Sequence, residues 1–510
     1  MYNRVGAQSD FSTLDDASGS RFMATDSSPI PVERLPVRFE ADDWVITLPF
    51  FHGGEARVRS VFERVARLSD SQVEQLLDQV ETKFKHRHDG ELVNVLDEHF
   101  GVAAELIDAQ YDFSADRRRL LGSYFTMEYA IASAALFNPS IVQLPSQNGV
   151  PEGGLRFLMS LRATGEGHLS SIVFRSGVIQ PNQGIQFDPP RPMIQRLRHT
   201  TDQHFLKHLF RRKLQEMEIN QTAVDLVMQH LDDHFTQMEL EHAIDQALEN
   251  EPDVMQLEET KEGIRWLARE NYQLRLPEGA HMSQVVIFPQ SDNESRGIED
   301  LRMVRFVDDD GSVTYYGTYS AYNGYRVLPQ MISTTDLNHL RVHTMNGACV
   351  QNKGMALFPR RINGHYVMCS RIDGENLYIM YSDIVQFWET AELLRAPQHA
   401  WEFTQMGNCG SPMETPEGWL LLTHGVGPMR TYSIGAMLLD LNDPGKVIGH
   451  LDQPLLMPTE EEREGYVPNV VYTCGALIHD EYLYMPYAMS DSATGFAIVP
   501  LDKLLERLVS

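Results

Sequence analysis

Asn352–Arg371, NKGMALFPRRINGHYVMCSR, holds a tight turn followed by an alternating strand that ends on a cation. Asn363-Gly364 is a two-residue hairpin signal, because both residue types accept the positive φ that such a turn demands. The strand His365 to Ser370 then delivers Arg371. Trp401–Tyr432, WEFTQMGNCGSPMETPEGWLLLTHGVGPMRTY, repeats the arrangement: Glu417-Gly418 turns the chain, and Trp419 to Thr423 delivers His424. Working outward, Gly153-Gly154 precedes LRFLMSL and Arg162, while Asp310-Gly311 precedes VTYYGTYSAY and Asn323. Repeated strands that each carry a polar residue to one end predict radially repeated sheets around a shared polar pocket, the architecture of a β-propeller. Such a pocket suits a polyhydroxylated or anionic ligand.

Two helical regions flank and interrupt these strands. Residues 1–34 are rich in Ser, Asp and small side chains and predict a flexible arm. Residues 35–135 are expected to form an N-terminal helical region, with a clear helical period from about 57. There Ser69-Asp70-Ser71-Gln72 resembles a capping box, and Val73, Leu76, Leu77 and Val80 follow on one face. Residues 136–510 predict a mainly β repeat domain. A helical insertion interrupts it over about 200–273, where Thr222-Ala-Val-Asp225 and Thr236-Gln-Met-Glu239 open successive helices.

Charge and composition narrow the function. The net charge of −28 over 510 residues argues against a general nucleic-acid binder, which needs clustered Lys and Arg, and against docking on anionic membranes. An apolar fraction of 42% with 22% charged residues is ordinary for a soluble enzyme. Cys349, Cys369, Cys409 and Cys474 show no CxxC spacing and predict reduced thiols in a cytoplasmic setting. No metal-ligand motif is present. The stretch MYNRVGAQSDFSTLDDASGS lacks an apolar export core, and no run approaches the ~18 apolar residues of a membrane span.

Several segments carry a resemblance. LFNPSIV (136–142), GIEDLRMVRF (297–306), TYSAYNG (318–324), the two stretches quoted at the outset, LLDLNDP (438–444), GYVPNVVYTCG (465–475) and YAMSD (487–491) are similar, in this order, to motifs of glycoside hydrolase family 130. That family contains the β-mannoside phosphorylases and some β-mannosidases. The resemblance implies a five-bladed β-propeller and inverting phosphorolysis. In that reaction inorganic phosphate attacks the anomeric carbon of a terminal mannosyl unit and releases α-mannose 1-phosphate. It implies a β-mannoside oligosaccharide or mannose 1-phosphate as partner, inorganic phosphate as co-substrate and no cofactor. Arg371 and His424 match phosphate-holding positions. Lys353 stands where an arginine is usual, which keeps the charge and loses the bidentate fork. Gln405 stands where a lysine is usual, and Arg430 is placed to restore the missing charge. Asn138, Arg162, Tyr322 and Asp491 match positions that contact the mannosyl unit, and Tyr432 and Tyr472 offer flat faces to a pyranose.

The proton donor departs from the family pattern. An aspartate in a Tyr-Asp-Gly turn supplies it there; here the turn reads Tyr322-Asn323-Gly324, and an amide is no general acid near neutral pH. Three readings follow. Another carboxyl takes the role, with Glu166, Asp373 and Asp491 as candidates; or the reaction uses a good leaving group, as in transfer from mannose 1-phosphate; or the pocket binds a sugar or sugar phosphate without turnover. A water-using β-mannosidase would need a carboxylate base near the phosphate positions, and no glutamate replaces them.

Each residue also has a plainer reading. Arg371 could serve an inter-sheet salt bridge, His424 a satisfied core position, and Asp491 a turn cap. Glu299-Asp300 with Arg302 reads as a structural ion network, and Gly165-Glu166-Gly167-His168 as a simple turn. Trp401, Trp419 and Tyr472 read as core. The helices over 203–273 suit a lid or, preferably, a homo-oligomer interface, with the acidic face at Asp232-Asp233, Glu239 and Glu241 solvated.

Overall fold

The computed structural model describes residues 30–88, 92–107, 111–189, 194–200, 204–248 and 254–510. These residues form a mainly β structure with a helical region near its N-terminal end. Five sheets of four to six strands carry it, beside two short two-stranded ribbons.

The first sheet begins with Ala135–Gln143, Leu155–Thr164 and Ser170–Ile179, and continues to Val285–Ile287 and Gln195–Arg196. The second runs Ile298–Val307, Val313–Tyr322, Val327–Thr334, His339–Thr344, Tyr272–Arg275 and Arg198–Thr200. Lys353–Leu357, Tyr366–Arg371, Leu377–Ser382 and Glu392–Arg395 make the third. Gln405–Asn408, Gly418–Val426, Tyr432–Leu439 and Val447–His450 make the main path of the fourth. The fifth orders Val471–Tyr472, Tyr482–Met489 and Ala493–Pro500, and adds Glu33–Phe39. The N-terminal strand therefore completes a sheet made by the C-terminal ones. Of the arm expected over 1–34, residues 1–29 lie outside the described residues, and Glu33 and Arg34 already belong to this strand.

The hairpin signal at Asn363-Gly364 is realised with φ of 52° and 82°, which joins the first two strands of the third sheet. Sheets with both faces covered explain the near-continuous apolar runs: every residue of Gly418–Val426 is buried. Separate clusters fill the gaps between neighbouring sheets. Trp419 and Phe358 pack between the third and fourth sheets, and Leu422 and Met485 between the fourth and fifth.

Hydrogen bonds tie each sheet to the next. Met303 N donates to Ser140 Oγ (3.0 Å), Thr318 Oγ1 to Met355 O, and Asn408 Nδ2 to Gly354 O. Tyr432 N donates to Asn469 O (3.0 Å) and Cys474 N to Pro139 O (2.7 Å). The last of these bonds joins the fifth sheet to the first.

The N-terminal helices are Gly54–Ala66 (α1), Asp70–Phe84 (α2), Leu92–Leu106 (α3) and Ala115–Tyr124 (α4). The capping box forms: Gln72 N donates to Ser69 Oγ (3.3 Å) and Ser69 N to Gln72 Oε1 (2.9 Å), with Val73 and Leu77 buried below. Strands bound this region, with Val45–Pro49 paired to Thr126–Ala130. The β-branched run Val45-Ile46-Thr47 prefers the extended chain.

The insertion comprises Lys207–Glu216 (α5), Gln221–Gln229 (α6), Gln237–Leu248 (α7) and Val254–Glu270 (α8), around its own core of Phe210, Leu214, Val227, Phe235, Leu240 and Ile264. Thr236 and Glu239 do form a box, but α6 is capped earlier than expected. Asn220 Oδ1 accepts from Thr222 N and Ala223 N, because a short amide just before the first turn reaches those free N–H groups better than Thr222 inside the turn. No described helix is long and apolar enough to cross a membrane.

Candidate active site

The edge strand that opens each sheet brings a polar residue to one connected cluster. Asn138 comes from the first sheet and Glu299, Asp300 and Arg302 from the second. Lys353 comes from the third, Gln405 and Asn408 from the fourth, and Tyr472 from the fifth.

Asp300 lies at the centre. Its backbone, at φ 59°, occupies an irregularity in the pairing with Val313–Tyr322, and Asn138 beside it has φ 48°. Asn138 Nδ2 donates to Asp300 Oδ1 (2.6 Å), while Arg162 Nη1 stands 3.6 Å from the same oxygen. Burial pushes the Asp300 carboxyl up, but Lys353, Arg162, Arg302 and the Asn138 hydrogen bond outweigh it and hold the pKa at about 2. Glu299 takes the neighbouring cations directly, Arg162 Nη2 at 2.7 Å and Lys353 Nζ at 2.5 Å. Left-handed backbone at non-glycine residues costs about 1–3 kcal/mol each and clusters where function holds it. Here Asn138, Asp300 and Asp491 all adopt it.

Replacing Asp300 with Asn should cost about 3–5 kcal/mol of stability at neutral pH, because the buried Arg302 guanidinium and the half-buried Arg162 and Lys353 cations lose a shared counter-charge. Urea denaturation reads this. Since the folded pKa is depressed, the stabilisation is present above the usual carboxylate range and is lost as pH falls towards 2.

Arg302, buried, donates from Nη1 to Asp300 O (3.1 Å) and from Nη2 to the Tyr472 hydroxyl (2.7 Å). The Tyr472 ring meets His424 edge-on at 5.0 Å, and Tyr432 stacks on the same imidazole at 6.1 Å. His424 is only 2% exposed. Its Nδ1–H donates to Asn408 O (3.2 Å) and its Nε2 accepts from Arg371 Nη1 (3.1 Å), an arrangement that requires the neutral ring. Burial, with Arg371 and Arg302 adding to it, drives the His424 pKa well below the ordinary value.

Arg371, directly opposite Lys353 in the strand register, makes no ion pair among the described residues, and its Nε is buried without a hydrogen-bond partner. A guanidinium held against a neutral imidazole, with unused donors, can receive an anion. Gly407 permits this approach. A Cβ there would lie 2.6 Å from His424 Cε1 and 3.3 Å from Arg371 Cδ. Gly407→Ala should therefore displace both side chains, cost about 1–3 kcal/mol and weaken any anion binding at Arg371. Urea titration and calorimetric titration with inorganic phosphate check the two effects.

Gln405 Nε2 donates to the Tyr432 hydroxyl (3.1 Å), placing both beside His424. Asp491 follows Tyr482–Met489 and has no hydrogen-bond partner among the described residues. Burial pushes its carboxyl up to about 6. Arg162 and Arg430 draw it down less than burial raises it, and Asp300 and Glu299 push the same way as burial. Arg430 is exposed in the turn after Gly418–Val426 and, among the described residues, is linked to the cluster through this charge interaction.

Other candidates stay apart. Asn323 Oδ1 accepts from Tyr325 N (3.0 Å) and Arg326 N (2.9 Å), closing its own turn, and the Tyr322 hydroxyl donates to Gly324 O (3.0 Å). Among the described residues, no hydrogen bond joins either of them to the cluster. The Glu166 side chain is exposed, and its backbone carbonyl accepts from the Tyr129 hydroxyl and from Leu169 N. Asp373 caps a turn: hydrogen bonds from Asn376, Glu375 and Tyr378 outweigh burial and hold its pKa at about 2, so it cannot release a proton near neutral pH. Trp419 is core, and Trp401 donates to Asp452 O (3.2 Å).

Glu299, Asp300 and Arg302, read from sequence as a structural ion network, do form one, and it is the middle of the cluster. Adjacent acids inside the apolar run IEDLRMVRFV were the signal, since one of the pair had to be buried. Among the described residues, no group of acidic, histidine or cysteine side chains could hold a metal ion.

Known proteins match this chain. The family model described as beta-1,4-mannooligosaccharide phosphorylase, of glycoside hydrolase family 130, matches residues 253–509. The chain belongs to glycoside hydrolase family 130, the family of β-mannoside phosphorylases. A 1,2-beta-oligomannan phosphorylase of Thermoanaerobacter sp. is 34% identical over 227 residues, which are 44% of this chain and 75% of that protein. A beta-1,2-mannobiose phosphorylase of Listeria innocua serovar 6a is 29% identical over 259 residues, 48% of this chain and 71% of that protein. A solved structure of the Listeria innocua beta-1,2-mannobiose phosphorylase with beta-1,2-mannobiose aligns at TM-score 0.44 and 20% identity, over 74% of this chain and 93% of that one.

Proposed function

We propose that this protein is an inverting β-mannoside phosphorylase that works at the cluster around Asp300, on five sheets arranged as the blades of a propeller. The sheet-to-sheet hydrogen bonds, the last of which joins the fifth sheet to the first, support the propeller reading. The observation that carries the function is Arg371: a guanidinium with no carboxylate partner, beside a neutral His424 and across the strand pair from Lys353.

Phosphate sits against Arg371 and His424, with Lys353 and the Gln405–Tyr432 pair at its border. Asn138, Arg162 and Asp300 hold the mannosyl hydroxyls, because amide, guanidinium and carboxylate can each bridge neighbouring oxygens. A phosphate oxygen forms the new bond at the anomeric carbon as the glycosidic C–O bond breaks. Asp491 gives its proton to the departing oxygen, and the products are α-mannose 1-phosphate and a sugar shortened by one unit. A carboxyl with pKa about 6 suits that role better than Asn323, whose amide is spent on its turn. The curated relatives favour β-1,2-mannosides as the substrate class. Four unpaired cysteines support a reducing compartment.

The reverse reaction tests the proposal. With α-mannose 1-phosphate and mannose, the protein should release inorganic phosphate and form a β-mannobiose. Phosphate release without a disaccharide would point to hydrolysis, and no release to a binding pocket without turnover.

A further inference from the structure

The hairpin turns after Leu155–Thr164, Val313–Tyr322, Tyr366–Arg371, Gly418–Val426 and Tyr482–Met489 come from the five sheets in chain order. They frame the cluster around Asp300, since Arg162, Arg371, His424 and Asp491 lie in or just before four of them. Among the described residues, the large apolar side chains at least 70% exposed are Tyr325, Met429, Met238 and Tyr466. Tyr325 and Met429 ride two of these turns, and Tyr466 is held against a third. Large apolar groups gathered at the mouth of a pocket mark a contact site.

Tyr466 is fixed beside Asp491. Its backbone N donates to Ser492 Oγ (2.9 Å) and Val467 N to Ser490 O (3.0 Å), so the two bonds straddle Asp491. Gly465 lets the chain come this close. A Cβ there would lie 2.5 Å from both Ser490 O and Ser492 Oγ. The Tyr466 ring reaches the neighbouring turn of the first sheet and stacks on His168, with centroids 5.6 Å apart and planes at 26°. His168 is itself exposed, on left-handed backbone at φ 60°, a conformation that persists in a non-glycine residue only where its surroundings hold it. Two exposed rings stacked between two turns build no core. They hold one flat face open and fixed at the mouth of the site.

The ligand of that face follows from Asp491, on the phosphorylase reading proposed above. Asp491 gives its proton to the departing oxygen, so a ring anchored across the Asp491 turn stands on the side of the leaving sugar. The mannosyl unit lies deeper, against Asn138, Arg162 and Asp300. The C–H bonds on one side of a pyranose suit the negative face of an aromatic ring. We infer that Tyr466, backed by His168, is the platform on which the leaving sugar stacks. The substrates are therefore mannosides whose leaving unit is itself a pyranose.

Calorimetric titration of the full chain without inorganic phosphate tests this with two ligands. α-Mannose 1-phosphate fills the mannosyl and phosphate positions; β-1,2-mannobiose fills the mannosyl position and the platform. Tyr466→Ala should weaken mannobiose binding about tenfold, the common cost of removing an aromatic anchor, and move α-mannose 1-phosphate by less than about twofold. Tyr466→Phe should recover most of the loss, because the flat face and not the hydroxyl carries the contact. His168→Ala, which acts from the other turn, should weaken mannobiose several-fold and answers the question should Tyr466→Ala fail to fold. Mannobiose affinity unchanged in both alanine variants, with α-mannose 1-phosphate still bound, would overturn the platform alone. Equal weakening of the two ligands would reduce the ring to a structural role. An unsubstituted chain that binds neither would overturn the phosphorylase reading and this inference with it.

Discussion

Replacing Arg371 with alanine should lower kcat/KM for phosphate about 10²–10³-fold and leave the chain folded. The loss follows from the role of a preorganised cation facing a nucleophile with two negative charges, where removing one aimed donor typically costs that much. The retained stability follows from the free state. Arg371 is paired with no carboxylate, its Nε is buried unsatisfied, and His424 Nε2 is the single acceptor left short when it goes. Stability should therefore change by about 1 kcal/mol or less. Arg371→Lys should recover part of the rate, because the charge returns without the fork. Equal losses of stability and rate in Arg371→Ala, followed by urea titration beside initial-rate kinetics, would reduce this residue to a structural one.

Asp491→Asn should cost about 10²–10⁴-fold in turnover of natural mannosides, and much less with an aryl mannoside whose leaving group needs no proton. Asparagine accepts the left-handed backbone at φ 50°, so the turn should survive. For the unsubstituted protein, kcat/KM should fall as pH rises through about 6, where this carboxyl loses its proton. The same raised pKa bears on stability. The folded state holds a proton that the unfolded state has released, so stability present at low pH is lost as pH rises through about 6. Asp491→Asn should remove this residue's share of that loss, leaving the share of Glu270, whose carboxyl burial pushes up to about 7. A flat pH profile with full activity in Asp491→Asn would place the proton elsewhere, with Asn323 and its turn reopened.

The repeated turn-strand pattern was legible because tight hairpins and buried strands leave local marks, as Asn363-Gly364 and the buried run to Val426 show. Arg371, His424, Lys353 and Asn138 were named through motif order, and the structure places them in one connected group of polar side chains. The centre of that cluster was legible in part. The adjacent acids Glu299-Asp300 with Arg302 marked an ion network, but the cations that reach it from other sheets, Arg162 from the first and Lys353 from the third, follow from the fold and from no local pattern. Asp491 could be named from sequence, but not its protonation, which depends on burial and on Glu299 and Asp300 nearby. The early strands Glu33–Phe39 and Val45–Pro49 were missed because their partners lie elsewhere in the chain, Glu33–Phe39 pairing with Ala493–Pro500 at the far C-terminal end.

The most direct test is product analysis with purified protein and a panel of β-mannobioses that includes the β-1,2 isomer, with and without inorganic phosphate. The account predicts α-mannose 1-phosphate and free mannose in equal amounts, with phosphate present and not without it. Mannose released at the same rate in the absence of phosphate, or no turnover of any isomer under either condition, would contradict it.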